Sequence, residues 1–197
     1  MSGKRSAKDP PSKRQYRMRA RARSTEATRE AILDAVEVAF EELFYDEITL
    51  AAIAERAGVS TQTVIRHFQN KEGLFAASYL HTAEKMGADR GPLPVGSPEA
   101  IVGDLVDHYE RFGDRILRML AQEEREPTLK NLADLGRLYH LHWCKQAFAP
   151  ALEGLRGKTH ERRLAQFVTG TDIYVWKLLR RDRDLSLKET KLAIPRL

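Results

Sequence analysis

The run from Thr49 to Phe68, TLAAIAERAGVSTQTVIRHF, constrains this chain more than any other stretch. It predicts two short helices joined by a sharp turn. Thr49 stands as the N-cap of a helix through Ala57, and Ser60 as the N-cap of a helix ending near Phe68; both hydroxyls suit the free amides of a first turn. Gly58 tolerates the turn backbone that a side chain resists. Ala54 is small enough for close helix packing, and Ile53, Val59, Val64 and Phe68 tie the pair together. Asn70 is a third polar cap, opening a longer helix through about Ala88.

Once the apolar positions of the second helix are assigned inward, Thr61, Gln62, Arg66 and His67 remain on its open face. Gln62 and Arg66 are four apart and share one side of the helix. Glutamine pairs well with adenine and arginine with guanine in the major groove of DNA. The spacing points to a helix-turn-helix, although any short helical hairpin can imitate that spacing. Helix capping accounts equally well for Thr49 and Ser60 taken singly, and the plain alternatives are a packed or solvent-facing histidine for His67 and a solvated charge for Lys71.

The surrounding residues make the pattern more specific. The helix AILDAVEVAF, the run TLAAIAERAGVSTQTVIRHF and the continuation QNKEGLFAASY together resemble the DNA-binding domain of the tetracycline-repressor (TetR) family. The resemblance runs from Ala31 to about Lys85, a quarter to a third of the chain. It implies DNA contacts from Thr49, Ser60, Thr61, Gln62, Thr63, Ile65, Arg66, His67 and Lys71, with Thr49, Thr63 and Lys71 at phosphates. It further implies a homodimer, double-stranded operator DNA as partner, and a small, largely apolar effector whose binding releases a repressor. Two departures stand out. Ile65 occupies a place where the family often has tyrosine, and Phe44 one where it often has glycine, so the loop after the first helix is expected to differ.

Charge is unevenly distributed. Residues 1–23 carry nine Lys and Arg against Asp9, a local charge of +8, whereas residues 24–88 carry five against eleven Asp and Glu, a charge of −6. The basic residues of the tail suit phosphate neutralisation; Arg21 and Arg23, with Arg17 and Arg19, are candidates for the minor groove or backbone beside the operator. A solvated extension without a partner fits the same composition. Residues 1–23 are expected to be disordered, because Pro10, Pro11 and dense charge leave little to bury.

The expected organisation is all-α. A basic disordered tail (1–23) precedes a helix-turn-helix domain with a connecting helix (24–88) and a larger helical ligand-binding and dimerisation domain (89–197). Gly91, Pro92, Pro94 and Gly96 mark the linker. Helices are expected from a start within 24–28 to about Leu43 and near 98–112, 114–124, 127–148 and 158–181, with a short one from Ser186. The segment 164–179 is apolar around much of its circumference. It is the expected dimer interface through Leu164, Phe167, Val168, Thr171, Val175 and Leu178, with Gly170 allowing close approach; a central core helix would show the same composition. Aromatic residues His108, Tyr109, Phe112, Tyr139, His142, Trp143, Phe167 and Tyr174 are candidates for a ligand pocket, or for ordinary core.

Several function classes find little support. No run of about 18 apolar residues suggests a membrane span, no apolar segment follows the basic N-terminus as in a secretory signal, and Cys144 alone cannot form an internal disulfide. His140 and Cys144 share a helix face but lack further metal ligands. No phosphate loop, nucleophile elbow or zinc-protease motif is present, so neither an enzyme nor a cofactor is expected. Membrane-surface binding is disfavoured because the tail lacks interleaved large apolar residues. A cytoplasmic, nucleoid-associated regulator fits best, and the alternative is an architectural binder that tolerates any DNA sequence.

Overall fold

Helix α1 shows how the chain begins to build its core. Ile32, Leu33, Val36, Ala39 and Phe40 recur at helical spacing on one side and are all buried, while charged Glu30, Asp34 and Glu41 stay outside. The computed structural model describes residues 13–90 and 97–196. Among them α1 spans Lys13–Glu42, α2 Leu50–Arg56, α3 Thr61–Phe68 and α4 Lys71–Arg90. The second half follows with α5 (Pro98–Leu120), α6 (Pro127–Ala147), the single turn α7 (Ala149–Leu152), α8 (Gly157–Gly170), α9 (Ile173–Lys177) and α10 (Leu187–Ala193). A π-helical turn, Leu178–Asp182, extends α9, and a 3-10 turn, Ile194–Arg196, follows α10. The described residues contain helices and no strand, as an all-α fold requires.

Three boundaries differ from the sequence expectation. Helix α1 begins at Lys13, so residues 13–23 of the expected disordered tail are helical. The run RQYRMRARAR contains strong helix formers and no glycine or proline, and it elongates a helix already nucleated by the buried turns behind it. Residues 1–12, and the expected linker positions 91–96, lie outside the described residues. Helix α5 runs unbroken through Gly113, where two helices were expected. A Cβ at Gly113 would stand 2.5 Å from Trp176 Cζ3, so this glycine makes room for an indole rather than for a turn. Conversely, the expected helix over 158–181 breaks after Gly170, and Asp172 caps the new helix α9 by accepting the Tyr174 amide. Gly170 ends the helix and has nothing of its own chain within 4 Å of where a Cβ would lie, among the described residues.

Two apolar clusters result. One joins α1, α2, α3 and the start of α4 to Met119 of α5 and Leu129, Leu132 and Ala133 of α6. The other gathers Ile101, Leu105, Val106 and Tyr109 of α5 with Trp143, Phe148, Leu164, Ile173 and Trp176. The clusters meet along α5. Its Arg118 donates from Nε to the Phe40 carbonyl at 3.0 Å and from Nη2 to the Glu42 carbonyl at 3.2 Å. A cation here meets the free carbonyls and negative end of α1. One turn on, Gln122 Oε1 accepts the Tyr45 amide at 2.8 Å, and the Tyr45 hydroxyl donates to Thr128 Oγ1 at 3.2 Å. The C-terminal end of α5 therefore grips both the end of α1 and the loop that leads into α2. Phe44 in that loop stays out of the left-handed region that a glycine would tolerate; the residues other than glycine with positive φ are Gln69 and Asp184 among those described. Phe44 is instead half-exposed beneath the Arg118 guanidinium, 5.1 Å from its ring centroid.

Candidate nucleic-acid interface and cavity

Helix α3 is held by its apolar side. Val64 and Phe68 are buried against α1, α2 and α4, whereas Gln62, Ile65 and Arg66 are exposed and Thr61, Thr63 and His67 are half-buried. The turn before α3 has Gly58 at φ +66°, a backbone that side chains disfavour, and the Val59 amide donates to the Ala54 carbonyl at 2.9 Å. The turn after α3 is tighter still. Gln69 takes φ +68°, the Asn70 amide reaches back to the Phe68 carbonyl at 2.8 Å, and Asn70 Oδ1 accepts the Gly73 amide at 2.7 Å. A side chain at residue 73 would collide with the Phe68 carbonyl, its Cβ lying 2.3 Å from that oxygen. The two turns fix α3 against α2 and α4 and leave one polar face outward.

The expected DNA-contact residues divide into three groups. Gln62 and Arg66 project together from α3, with Ile65 beside them. Thr49 and Ser60 are caps: Thr49 Oγ1 accepts the Ala52 amide at 3.1 Å, and Ser60 Oγ accepts the Thr63 amide at 3.2 Å and bonds the Thr63 hydroxyl at 2.9 Å. Lys71 turns inward from where a phosphate contact was expected. Its ammonium donates to the Tyr45 carbonyl and lies 4.1 Å over the Tyr45 ring. Desolvation in that position pushes the Lys71 pKa down, against the opposing field of Glu126, Asp46 and Glu72. Arg21 and Arg23 are exposed on the N-terminal extension of α1, away from the buried turns.

A second feature lies behind the helix-turn-helix. A cavity of about 450 Å³, open on one side, is lined by α1, α4, α5, α6 and α9. Of the expected pocket residues, His108, Tyr109, Phe112, Tyr139, Trp143 and Tyr174 line it. His142 does not; it is exposed on the opposite side of α6. Phe167 does not either; its ring stacks on Phe148 at 4.2 Å in the second cluster. Leu80, Leu135, Tyr139 and Tyr174 form a half-exposed apolar lip, Tyr139 being 58 % and Tyr174 54 % exposed.

The sequence reading missed the polar end of this cavity, where Glu37 of α1, Thr82 of α4 and Arg115 of α5 meet. Thr82 Oγ1 donates to Glu37 Oε1 at 2.7 Å, Arg115 Nη1 lies 3.3 Å from Glu37 Oε2, and Arg115 Nη2 donates to Glu41. These partners are 45 to 78 residues apart in sequence, so no local pattern announces them. Elsewhere at the wall, His140 Nε2, Cys144 Sγ and Thr171 Oγ1 lie within 3.0 to 3.5 Å of one another. Burial pushes the Cys144 thiol pKa up, which keeps it protonated and a poor metal ligand. Of the expected interface residues, Leu164 and Thr171 are buried at 9 % and 4 % exposure within their own chain. Phe167, Val168 and Val175 pack on the same core, and Leu178 is exposed. Leu164 is the buried residue of α8, and Tyr174 and Leu178 are the exposed large apolar residues that follow it.

Comparison with known proteins bears on the helix-turn-helix and on the fold. Residues 32–78 match the family model described as bacterial regulatory proteins, tetR family. The chain is 35 % identical over 113 residues to the HTH-type transcriptional regulator YdeS of Bacillus subtilis (strain 168), covering 57 % of this chain and 52 % of that protein, so it spans about half the length of YdeS. It is 28 % identical over 156 residues to the HTH-type transcriptional regulator BetI of Burkholderia mallei, covering 74 % of this chain and 80 % of BetI. Among solved structures, one described as a TetR-family regulator from Rhodococcus sp. superposes with a TM-score of 0.65 at 17 % identity, over 85 % of this chain and 94 % of that one. A transcriptional regulator from Rhodococcus sp. Rha1 superposes with a TM-score of 0.61 at 18 % identity, over 87 % of this chain and 92 % of that one.

Proposed function

We propose that this chain, which belongs to the TetR family of bacterial regulatory proteins, is a cytoplasmic repressor that binds an inverted-repeat operator as a homodimer and is released by a small ligand. The observation that carries the reading is α3. Its apolar side is fixed by burial of Val64 and Phe68, while Gln62 and Arg66 stand exposed on one polar face. A helix of this kind docks in a major groove with its free polar side chains at base edges. The cavity supports the ligand half of the proposal, since its volume and largely apolar lining suit a small molecule. It lies between α1, which carries the helix-turn-helix, and α5, which grips the end of α1. No helix among the described residues is long and apolar enough to cross a membrane.

The domain that presents α3 is itself acidic, so the basic residues ahead of it, among them exposed Arg21 and Arg23, supply much of the attraction to phosphate. Selection of genomic fragments by the purified full chain, followed by titration of the best fragment and a scrambled one at two salt concentrations, tests the reading. An inverted repeat bound by a dimer, at least about a thousandfold tighter than the scramble, is the expected result. Equal affinity for every fragment would instead identify a sequence-tolerant architectural protein, and no binding would remove the DNA-binding reading altogether.

A further inference from the structure

We propose that the cavity takes a ligand with an apolar, ring-sized body and a single anionic group, a carboxylate or its like, held by Arg115. The inference rests on the reading of the cavity as an effector site and adds the chemistry of the effector. The body follows from the walls, where Phe40, Phe75, Phe112 and Trp143 present aromatic faces. The charge follows from how the polar groups are already engaged. Glu37 accepts the Thr82 hydroxyl at 2.7 Å and also faces Arg115 at 3.3 Å and Lys85 at 3.9 Å. Asp172 accepts the Tyr174 amide at the start of α9. Both carboxylates in the lining are therefore occupied by donors of the protein itself. Arg115 is the reverse case. Its Nε and Nη1 are buried with no hydrogen-bond acceptor, although Nη1 stays in ionic reach of Glu37. A guanidinium carries five N–H donors in a fixed fork and no acceptor. A buried donor without an acceptor is costly, and a planar anion satisfies such a fork better than a neutral oxygen does.

A cationic head would meet the opposite situation: Arg115 would repel it, and the acids within reach already hold donors. An anion entering beside Arg115 asks little of α1. Glu37 keeps Thr82 and Lys85, and Glu41 is exposed enough for water to replace the guanidinium.

Isothermal titration of the full chain with three ligands of one shape tests this: naphthalene-2-carboxylate, naphthalene-2-carboxamide and 2-naphthylmethylammonium. The carboxylate is expected to bind about tenfold or more tighter than the amide, with the ammonium weakest, as a charge-assisted bond implies. Arg115→Gln is expected to bring the carboxylate down to the level of the amide while leaving the amide unchanged, and Arg115→Lys to keep most of the preference. Glu41→Gln, at an exposed position, removes one competitor for the guanidinium and is expected to widen the ratio of acid to amide. Equal binding of amide and acid by the wild type, or a preference that survives Arg115→Gln, would overturn the anionic assignment and leave the cavity reading standing. Should Arg115→Gln fail to fold, an unchanged ratio in Glu41→Gln would overturn it instead. If none of the three bound the wild type, the effector reading of the cavity would fall and this inference with it.

Discussion

Lys71 holds its ammonium against the carbonyl and ring of Tyr45, in the loop between α1 and α2. In the sequence it stands just past the recognition helix, where resemblance implies a phosphate contact; in the folded chain a cation over an aromatic face and at a carbonyl is a packing element. Lys71→Met is therefore expected to lower the melting temperature while leaving the salt dependence of DNA binding unaltered. A melting temperature that stayed put while the salt slope fell by about one would return Lys71 to the phosphates. Thr49 and Ser60 were legible as caps because a cap is a local event, an oxygen and an amide three residues apart. Lys71 was not, because its partner lies 26 residues upstream.

The elements show the same division between near and far. Helices α2 and α3 follow from caps, a turn glycine and apolar spacing contained in twenty residues. Helix α5 does not, because the reason for Gly113 lies on another helix. Its Cα faces Trp176, whose indole N–H donates to Glu110 at 2.8 Å and whose ring lies 4.5 Å beneath the Arg181 guanidinium. Gly113→Ala is expected to cost about 1–3 kcal/mol by overpacking, despite alanine being the better helix former; an unchanged denaturation midpoint would show that the indole moves aside freely. The same contact has a pH signature. Arg180 forks onto Glu110 at 2.8 and 3.0 Å, and these hydrogen bonds, opposed by burial and aided by Trp176, hold the Glu110 carboxyl below its ordinary 4.5. A carboxyl whose pKa falls on folding adds stability that is present above that ordinary value and is lost as pH drops through the folded one. Melting temperature is expected to fall below about pH 4.5 in the wild type. In Glu110→Gln it should be lower at neutral pH and flatter through the acid range. Parallel curves for the two proteins would assign the acid response to other carboxylates.

At the scale of the molecule, two apolar clusters share α5, and the cavity opens where they meet. The all-α class was readable from periodicity, and the split into a helix-turn-helix part and a larger helical part from polar caps, a Gly- and Pro-rich stretch and resemblance. The cavity was readable only as an aromatic-rich composition, and six of eight candidate residues line it. Its polar end was not readable, because Glu37, Thr82 and Arg115 come from three helices. Apolar circumference says that a helix is buried, not whether its own core or a partner buries it, and Leu164 and Thr171 are buried within their own chain. Resemblance located α3, and burial identified which of its side chains are free.

The measurement that tests the central claim most directly is a competition titration of the selected operator against its scramble, with the wild type and with Gln62→Ala and Arg66→Ala. Both residues are exposed and distant from the core, so folding is expected to be unaffected. Each substitution is predicted to weaken operator binding by about 1–3 kcal/mol while changing binding to the scramble far less, so that the specificity ratio collapses. If both variants kept the wild-type ratio, α3 would not be the element that reads the DNA, and the account built on it would be contradicted.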